Sequence, residues 1–127
     1  MNERWVRVAP CEWIPPREGR SVRIGDRDIA IFNVDDETFL ATDNTCPHKG
    51  GPLCDGIITG RSVVCRLHAW KIDLDSGAVV RPGGVDHPGV QTYPVRVEGG
   101  IVKVCLPDEP IHRQDLEKIQ NCHIVQA

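Results

Sequence analysis

Val22 and Ile24 alternate with Ser21 and Arg23, the period-two signature of a strand with one buried face. Gly25-Asp26-Arg27 reads as a turn into Asp28–Val34, a run so apolar that it predicts a central strand. Asp35-Asp36-Glu37 then turns the chain into Thr38-Phe39-Leu40-Ala41. Tyr93, Val95 and Val97 alternate with Pro94, Arg96 and Glu98, and Gly99-Gly100 leads on to Ile101–Leu106. Two strands joined by Gly-Gly predict a tight hairpin, because glycine supplies the positive φ that such a turn needs. The pattern as a whole predicts an all-β fold with strands over 4–8, 21–24, 28–34, 38–42, 62–65, 93–98 and 101–106. Asn44–Ser62 and Leu67–Gly89 break the rhythm and are expected to be long loops, the usual carriers of function in a small β domain. One helical period occurs, over Arg113–Asn121, where Leu116 and Ile119 share a face.

Length and charge narrow the picture. A chain of 127 residues corresponds to one domain. Fifteen Lys and Arg against 18 Asp and Glu leave a formal charge of −3, which offers no electrostatic footprint for nucleic acid or an anionic membrane. No apolar run approaches the ~20 residues that span a bilayer. The start of the chain carries Glu3, Arg4 and Arg7 and lacks the apolar segment of a secretion signal, so a cytoplasmic location is expected. Thiols stay reduced there, and the six cysteines are therefore read first as ligands or packed thiols.

Two of the cysteines fall in short boxes with histidine. One box is Cys46-Pro47-His48-Lys49-Gly50-Gly51-Pro52-Leu53, the other Cys65-Arg66-Leu67-His68-Ala69-Trp70. Sixteen residues separate His48 from Cys65. Each loop thus offers one thiolate and one imidazole. A Rieske [2Fe–2S] centre uses that donor set, with two Cys on one iron and two His on the other. Replacing thiolate by neutral imidazole removes negative charge and raises the potential to about −150 to +300 mV, against about −400 mV for four-thiolate ferredoxins. Pro47 and Pro52 stiffen the first loop, and Gly50 and Gly51 allow the backbone to approach the cluster sulfurs. Zinc accepts the same four ligands, but zinc modules usually pair like ligands within one loop, whereas each loop here is mixed.

The boxes resemble the Rieske family, and the likeness covers about Arg4 to Leu106. The surrounding phrases Ala30-Ile31-Phe32, Leu67-His68-Ala69-Trp70-Lys71-Ile72-Asp73-Leu74-Asp75-Ser76-Gly77 and Gln91-Thr92-Tyr93-Pro94-Val95-Arg96-Val97 resemble the small subunits of NAD(P)H-dependent assimilatory nitrite reductases. Stand-alone Rieske ferredoxins of ring-hydroxylating dioxygenases share the boxes and the size. The resemblance implies an antiparallel β sandwich or incomplete barrel over 4–106, with a cluster-binding lobe inserted at about 44–89. A tail with a short helix would follow at 107–127. It implies one [2Fe–2S] cluster held by Cys46, His48, Cys65 and His68, and no catalytic site on this chain. The partner it implies is a large nitrite reductase subunit bearing FAD, a [4Fe–4S] cluster and sirohaem, or another redox protein; an oxygenase fed by a free carrier is the alternative. Rieske proteins of respiratory complexes carry an extra disulfide between the loops and a hydroxyl donor beside the second His. Gly51, Leu67 and Trp70 stand at those places here, which implies a potential at the low end of the window.

The other candidates are weighed more plainly. Cys54 is expected to be a packed thiol, since four ligands already complete the cluster. Cys105 is expected in a strand, and Cys11 and Cys122 near the termini. His87, His112 and His123 have no ligand partners at metal spacing, and Trp70 is expected to pack beside the second loop. Asp75-Ser76-Gly77 is expected to be a turn, while Asp73 and Asp86 carry no paired-carboxylate signature. Arg66, where many relatives have proline, is either an exposed charge or a cation close to the cluster. No Gly-x-Gly-x-x-Gly or P-loop is present, so no nucleotide site is expected.

Overall fold

The structure is a computed structural model that describes residues 3–35, 38–46, 51–66, 69–81 and 89–107. Among the described residues eleven strands run β1 (Glu3–Pro10), β2 (Glu18–Ile24), β3 (Arg27–Asn33), β4 (Phe39–Asp43), β5 (Ile57–Thr59), β6 (Ser62–Val64), β7 (Lys71–Asp73), β8 (Val79–Arg81), β9 (Thr92–Tyr93), β10 (Val95–Glu98) and β11 (Ile101–Pro107). They form three sheets with the orders β1-β11-β10, β2-β3-β4-β9 and β5-β6-β7-β8, and each pair of neighbouring strands is antiparallel. The first two sheets pack face to face over a core that includes Val8, Val22, Ile29, Ile31, Ala41, Val102 and Val104. The third sheet, with the segments around it, closes a second core of Ala30, Phe32, Val34, Leu53, Ile58, Val63, Ile72 and Leu74.

Strand β3 belongs to both cores. Its side chains alternate across the sheet, so Ile29 and Ile31 enter the sandwich while Ala30 and Phe32 enter the lobe. The continuous apolar run read from the sequence is the signature of a strand covered on both faces. Gly19, opposite Phe32 on β2, leaves the space this packing uses. A Cβ there would stand 2.9 Å from the Phe32 ring and 2.9 Å from the Cys54 carbonyl. A second tie crosses the same boundary where Arg17 Nη2 donates to the Ile58 carbonyl at 3.3 Å.

The expected hairpin is present, with φ of +59° and +77° at Gly99 and Gly100 between β10 and β11. Three expectations need correction. The stretches Asn44–Ser62 and Leu67–Gly89 are not structureless loops, because they contain β5, β7 and β8. Those strands have three residues each, too few to display alternation, and they owe their form to pairing with β6 and with one another. The single strand expected over 93–98 is two strands in different sheets. Pro94 lacks an N–H, and the chain leaves β4 for β11 at that residue, with the Pro94 carbonyl accepting from the Cys105 N–H at 2.9 Å. Short 3-10 turns at Cys11–Trp13 and Leu53–Asp55 were also not anticipated. The helix expected over Arg113–Asn121 lies outside the described residues, as do Cys122, His87, His112, His123 and Asp86. Among the described residues no helix is long and apolar enough to cross a membrane.

Tyr93, the sole tyrosine, is buried where β9 meets β4. Its hydroxyl donates to Asp43 Oδ1 at 2.5 Å and accepts from Arg27 Nη1 at 2.9 Å. Burial, followed by the Asp43 carboxylate, pushes the phenol up to about 12. The folded pKa lies above the unfolded value near 10, so the stabilisation is complete below about pH 10 and is lost as pH rises through about 12. An ultraviolet titration of the native protein should show no phenolate below about pH 11. Tyr93→Phe should lower stability by about 1–3 kcal/mol at neutral pH, measured by urea unfolding, because the hydroxyl bonds two charged groups.

Candidate functional site: a two-loop thiolate centre

The two boxes leave their strands in the same way. After β4, the Cys46 N–H donates to the carbonyl of Gly51 at 2.7 Å, five residues on. After β6, the Cys65 N–H donates to the carbonyl of Trp70 at 2.8 Å, again five residues on. Each cysteine therefore stands at the mouth of a loop closed on itself. The first closure is reinforced by a bridge between Thr45 and Pro52. The second is reinforced by the Ala69 N–H on the Cys65 carbonyl at 2.8 Å. Ala69 has φ of +61°, a left-handed conformation that costs a non-glycine residue about 1–2 kcal/mol and that the sequence does not announce.

Both thiols are 2% exposed and both belong to the lobe core, so the structure brings Cys46 and Cys65 into one buried cluster. Neither is in a disulfide. Two thiols from two rigid loop mouths in an apolar setting suit the thiolate half of an iron–sulfur site, where burial excludes water and competing ligands. His48 and His68 lie outside the described residues, and so do Pro47, Lys49, Gly50 and Leu67. Among the described residues no group of three or more His, Cys, Asp or Glu comes together as a further metal site.

The remaining candidates fall into structural roles. Cys54 is half-buried at the lobe core, with its sulfur 3.8 Å from Asp55 Oδ1. Burial and then the Asp55 charge push its thiol up, which keeps it protonated and a poor ligand. Cys105 is buried in β11, and Trp70 packs against the lobe core. Asp73 accepts from the Ser76 N–H and hydroxyl, both at 2.8 Å, and so closes the expected turn. Asp75 holds Arg61 through two bonds of 2.6 and 2.7 Å. Gly51 is buried and its carbonyl serves the Cys46 closure. Arg66 is exposed, and its Nε donates to the Asp55 carbonyl at 2.6 Å. That bond links the second loop to the end of the first.

Sequence reading passed over Asn44. It is 5% exposed and stands two residues before Cys46. Its N–H donates to the Asp28 carbonyl at 2.8 Å, and its own carbonyl accepts from Leu53 N–H at 2.6 Å. Its side-chain oxygen accepts from Cys54 N–H at 2.8 Å, while Nδ2 donates to Asp28 Oδ2 at 3.2 Å. One amide thus joins the start of β3 to both ends of the first loop. A buried amide has to be satisfied, and only an Asn here presents donor and acceptor to these two partners at once. The signal available in the sequence was a polar residue between a strand and a ligand box. Asn44→Ala should cost about 2–3 kcal/mol in urea unfolding, since it strands the Cys54 N–H and the Asp28 carboxylate. Asn44→Asp should also destabilise in the same measurement, because it replaces the Nδ2 donor with a second carboxylate oxygen facing Asp28 Oδ2.

Comparison with known proteins agrees with this geometry. Residues 4–94 match the family model of the Rieske [2Fe–2S] domain. The ferredoxin component of naphthalene 1,2-dioxygenase/salicylate 5-hydroxylase systems from Ralstonia sp. is 33% identical over 99 residues, covering 77% of this chain and 91% of the relative. The ferredoxin subunit of a biphenyl dioxygenase from a Pseudomonas strain is 35% identical over 109 residues, covering 85% and 97%. The crystal structure of a putative NADH-dependent nitrite reductase small subunit from Mycobacterium tuberculosis superposes with a TM-score of 0.76 at 25% identity, covering 86% of this chain and 100% of that one. The chain belongs to the Rieske [2Fe–2S] family, whose domain holds its cluster through two cysteines and two histidines.

Proposed function

We propose that this chain is a Rieske ferredoxin, a small one-electron carrier that serves the oxygenase component of a ring-hydroxylating dioxygenase. The observation that carries this reading is the near-complete coverage of dioxygenase ferredoxins, 91% and 97% of two such relatives at 33% and 35% identity. Their names give the function of proteins of this size and fold. The reading replaces the nitrite reductase subunit as first choice. That second reading keeps the support of the structural likeness at TM-score 0.76.

In this proposal Cys46 and Cys65 supply the thiolates and His48 and His68 the imidazoles. The bound cluster supplies a one-electron ferric–ferrous couple of intermediate potential. The chain's own residues hold the ligands still. The two i to i+5 closures fix the cysteine backbones, and Asn44 and Arg66 tie the loops to the rest of the domain. Ligands held in place before and after reduction keep the reorganisation small, which favours rapid transfer to a docked partner. The lobe core keeps water from the sulfurs.

Reconstitution tests the proposal. The cluster-loaded protein is mixed with the oxygenase and reductase components of a naphthalene dioxygenase system, NADH and naphthalene. Naphthalene oxidation should depend on the added protein, and Cys46→Ser or Cys65→Ser should reduce it by roughly 100-fold or more through loss of the cluster. Absence of oxidation, with stoichiometric co-purification of a sirohaem protein from the native cell, would transfer the assignment to the nitrite reductase reading.

A further inference from the structure

The lobe sheet presents a cationic row beside the second cluster loop. Ile57 pairs with Val64, Val64 with Lys71 and Lys71 with Arg81, so one residue from each of the four strands stands in line across the sheet. Residues paired directly in antiparallel strands share a face. The neighbouring row, Ile58, Val63, Ile72 and Val79, faces the lobe core. The Ile57 row therefore faces outward. It lies at the end of the sheet from which residues 65–70 emerge, since Val64 precedes Cys65 and Lys71 follows Trp70.

The row combines apolar surface with positive charge. Ile57 is 52% exposed, and Val80, set by the β8 irregularity next to Arg81, is 48% exposed. Lys71 and Arg81 lie in the row, and Arg66 is anchored two residues from Ile57 by its bond to the Asp55 carbonyl. Four other cations of the described surface are held in ion pairs, namely Arg20 with Glu18, Arg61 with Asp75, Arg96 with Glu98 and Lys103 with Glu98, while Arg7 and Arg17, which are also exposed and in none of these pairs, lie outside the lobe sheet. Among the described residues Arg66, Lys71 and Arg81 enter no such pair. Asp73, which shares the strand with Lys71, is engaged by Ser76. Three cations against the two carboxylates of Asp55 and Asp73 leave this patch net positive next to the ligand loops, on a chain of formal charge −3.

The geometry points to this row as the docking face for an acidic redox protein, with Ile57 and Val80 as apolar contacts and Arg66, Lys71 and Arg81 steering and orienting the approach. Complementary charge fixes orientation and speeds encounter, and apolar residues within the patch then hold the complex. The inference rests on the electron-carrier reading and adds to it the face and the charge of the partner.

Affinity, measured separately from turnover, tests it. The oxidised, cluster-loaded protein is titrated calorimetrically with an acidic plant-type ferredoxin and with basic cytochrome c at 0.01 M and 0.15 M ionic strength, where the screening length falls from about 30 Å to about 8 Å. The acidic probe should bind at low salt. Lys71→Glu/Arg81→Glu should weaken it by roughly tenfold or more, while Arg7→Glu on β1 should change it less than twofold. Lys71→Gln/Arg81→Gln substitutes for the reversal variant if that one loses the cluster absorption. Tighter binding of cytochrome c than of the acidic probe, or an equal effect of Arg7→Glu, would overturn the proposal. An intact cluster spectrum with unchanged affinity defeats the docking face alone, whereas a missing cluster spectrum in the wild type defeats the carrier reading.

Discussion

The burial of β3 on both faces is the constraint on which the rest of the structure depends. Ile29 and Ile31 complete the sandwich core, and Ala30 and Phe32 complete the lobe core, so one strand is the shared wall of two hydrophobic units. Each large apolar side chain buried in this way contributes about 1.5–3 kcal/mol. A one-residue slip of β3 would exchange the two sets and spoil both cores together. The described residues of the lobe are therefore packed onto the same strand as the sandwich. The lobe's three-residue strands could not stand alone, and they persist because Phe32 and Val34 give their inner row something to cover.

From that wall the ligand loops acquire fixed positions. Cys46 follows β4, which pairs with β3, and Cys65 follows β6 in the lobe sheet. The same closure, cysteine N–H to the carbonyl five residues on, is used in both loops. Proteins of this family with an extra cysteine in each loop can clamp the two covalently; here Gly51 stands at one of those places and serves the backbone closure. A hydrogen bond from Arg66 to Asp55 links the loops instead. Two sheets thus each deliver one buried thiol to the lobe core, and the outward row of the lobe sheet lies beside the second of them.

Much of this was legible in the sequence, and the limits have physical causes. The Cys-x-His and Cys-x2-His boxes give the donor types directly, because ligand chemistry is local. The apolar run over 28–34 gave β3, and Gly99-Gly100 gave the hairpin, because both signals are contained in adjacent residues. Strands β5, β7 and β8 were hidden because three residues cannot show a period and pairing across the lobe creates them. The switch of sheets at Pro94 depends on which partners flank it, which no local pattern encodes. Asn44 looked like the start of a loop, and its role appears only when Asp28, Leu53 and Cys54 are brought around it. Arg66 was an exposed charge by composition, and its bond to Asp55 required the fold. The choice between a dioxygenase ferredoxin and a nitrite reductase subunit lies in partner surfaces, which the ligand boxes do not determine.

The central claim is that two closed loops deliver two thiolates and two imidazoles to a single [2Fe–2S] cluster. Electron–nuclear double resonance on the dithionite-reduced protein tests it most directly. The account predicts a rhombic signal with nitrogen couplings from two imidazoles, of which one set disappears in His48→Cys and the other in His68→Cys. A reduced signal without nitrogen coupling would indicate four-thiolate ligation, and a colourless protein containing zinc would contradict the account outright.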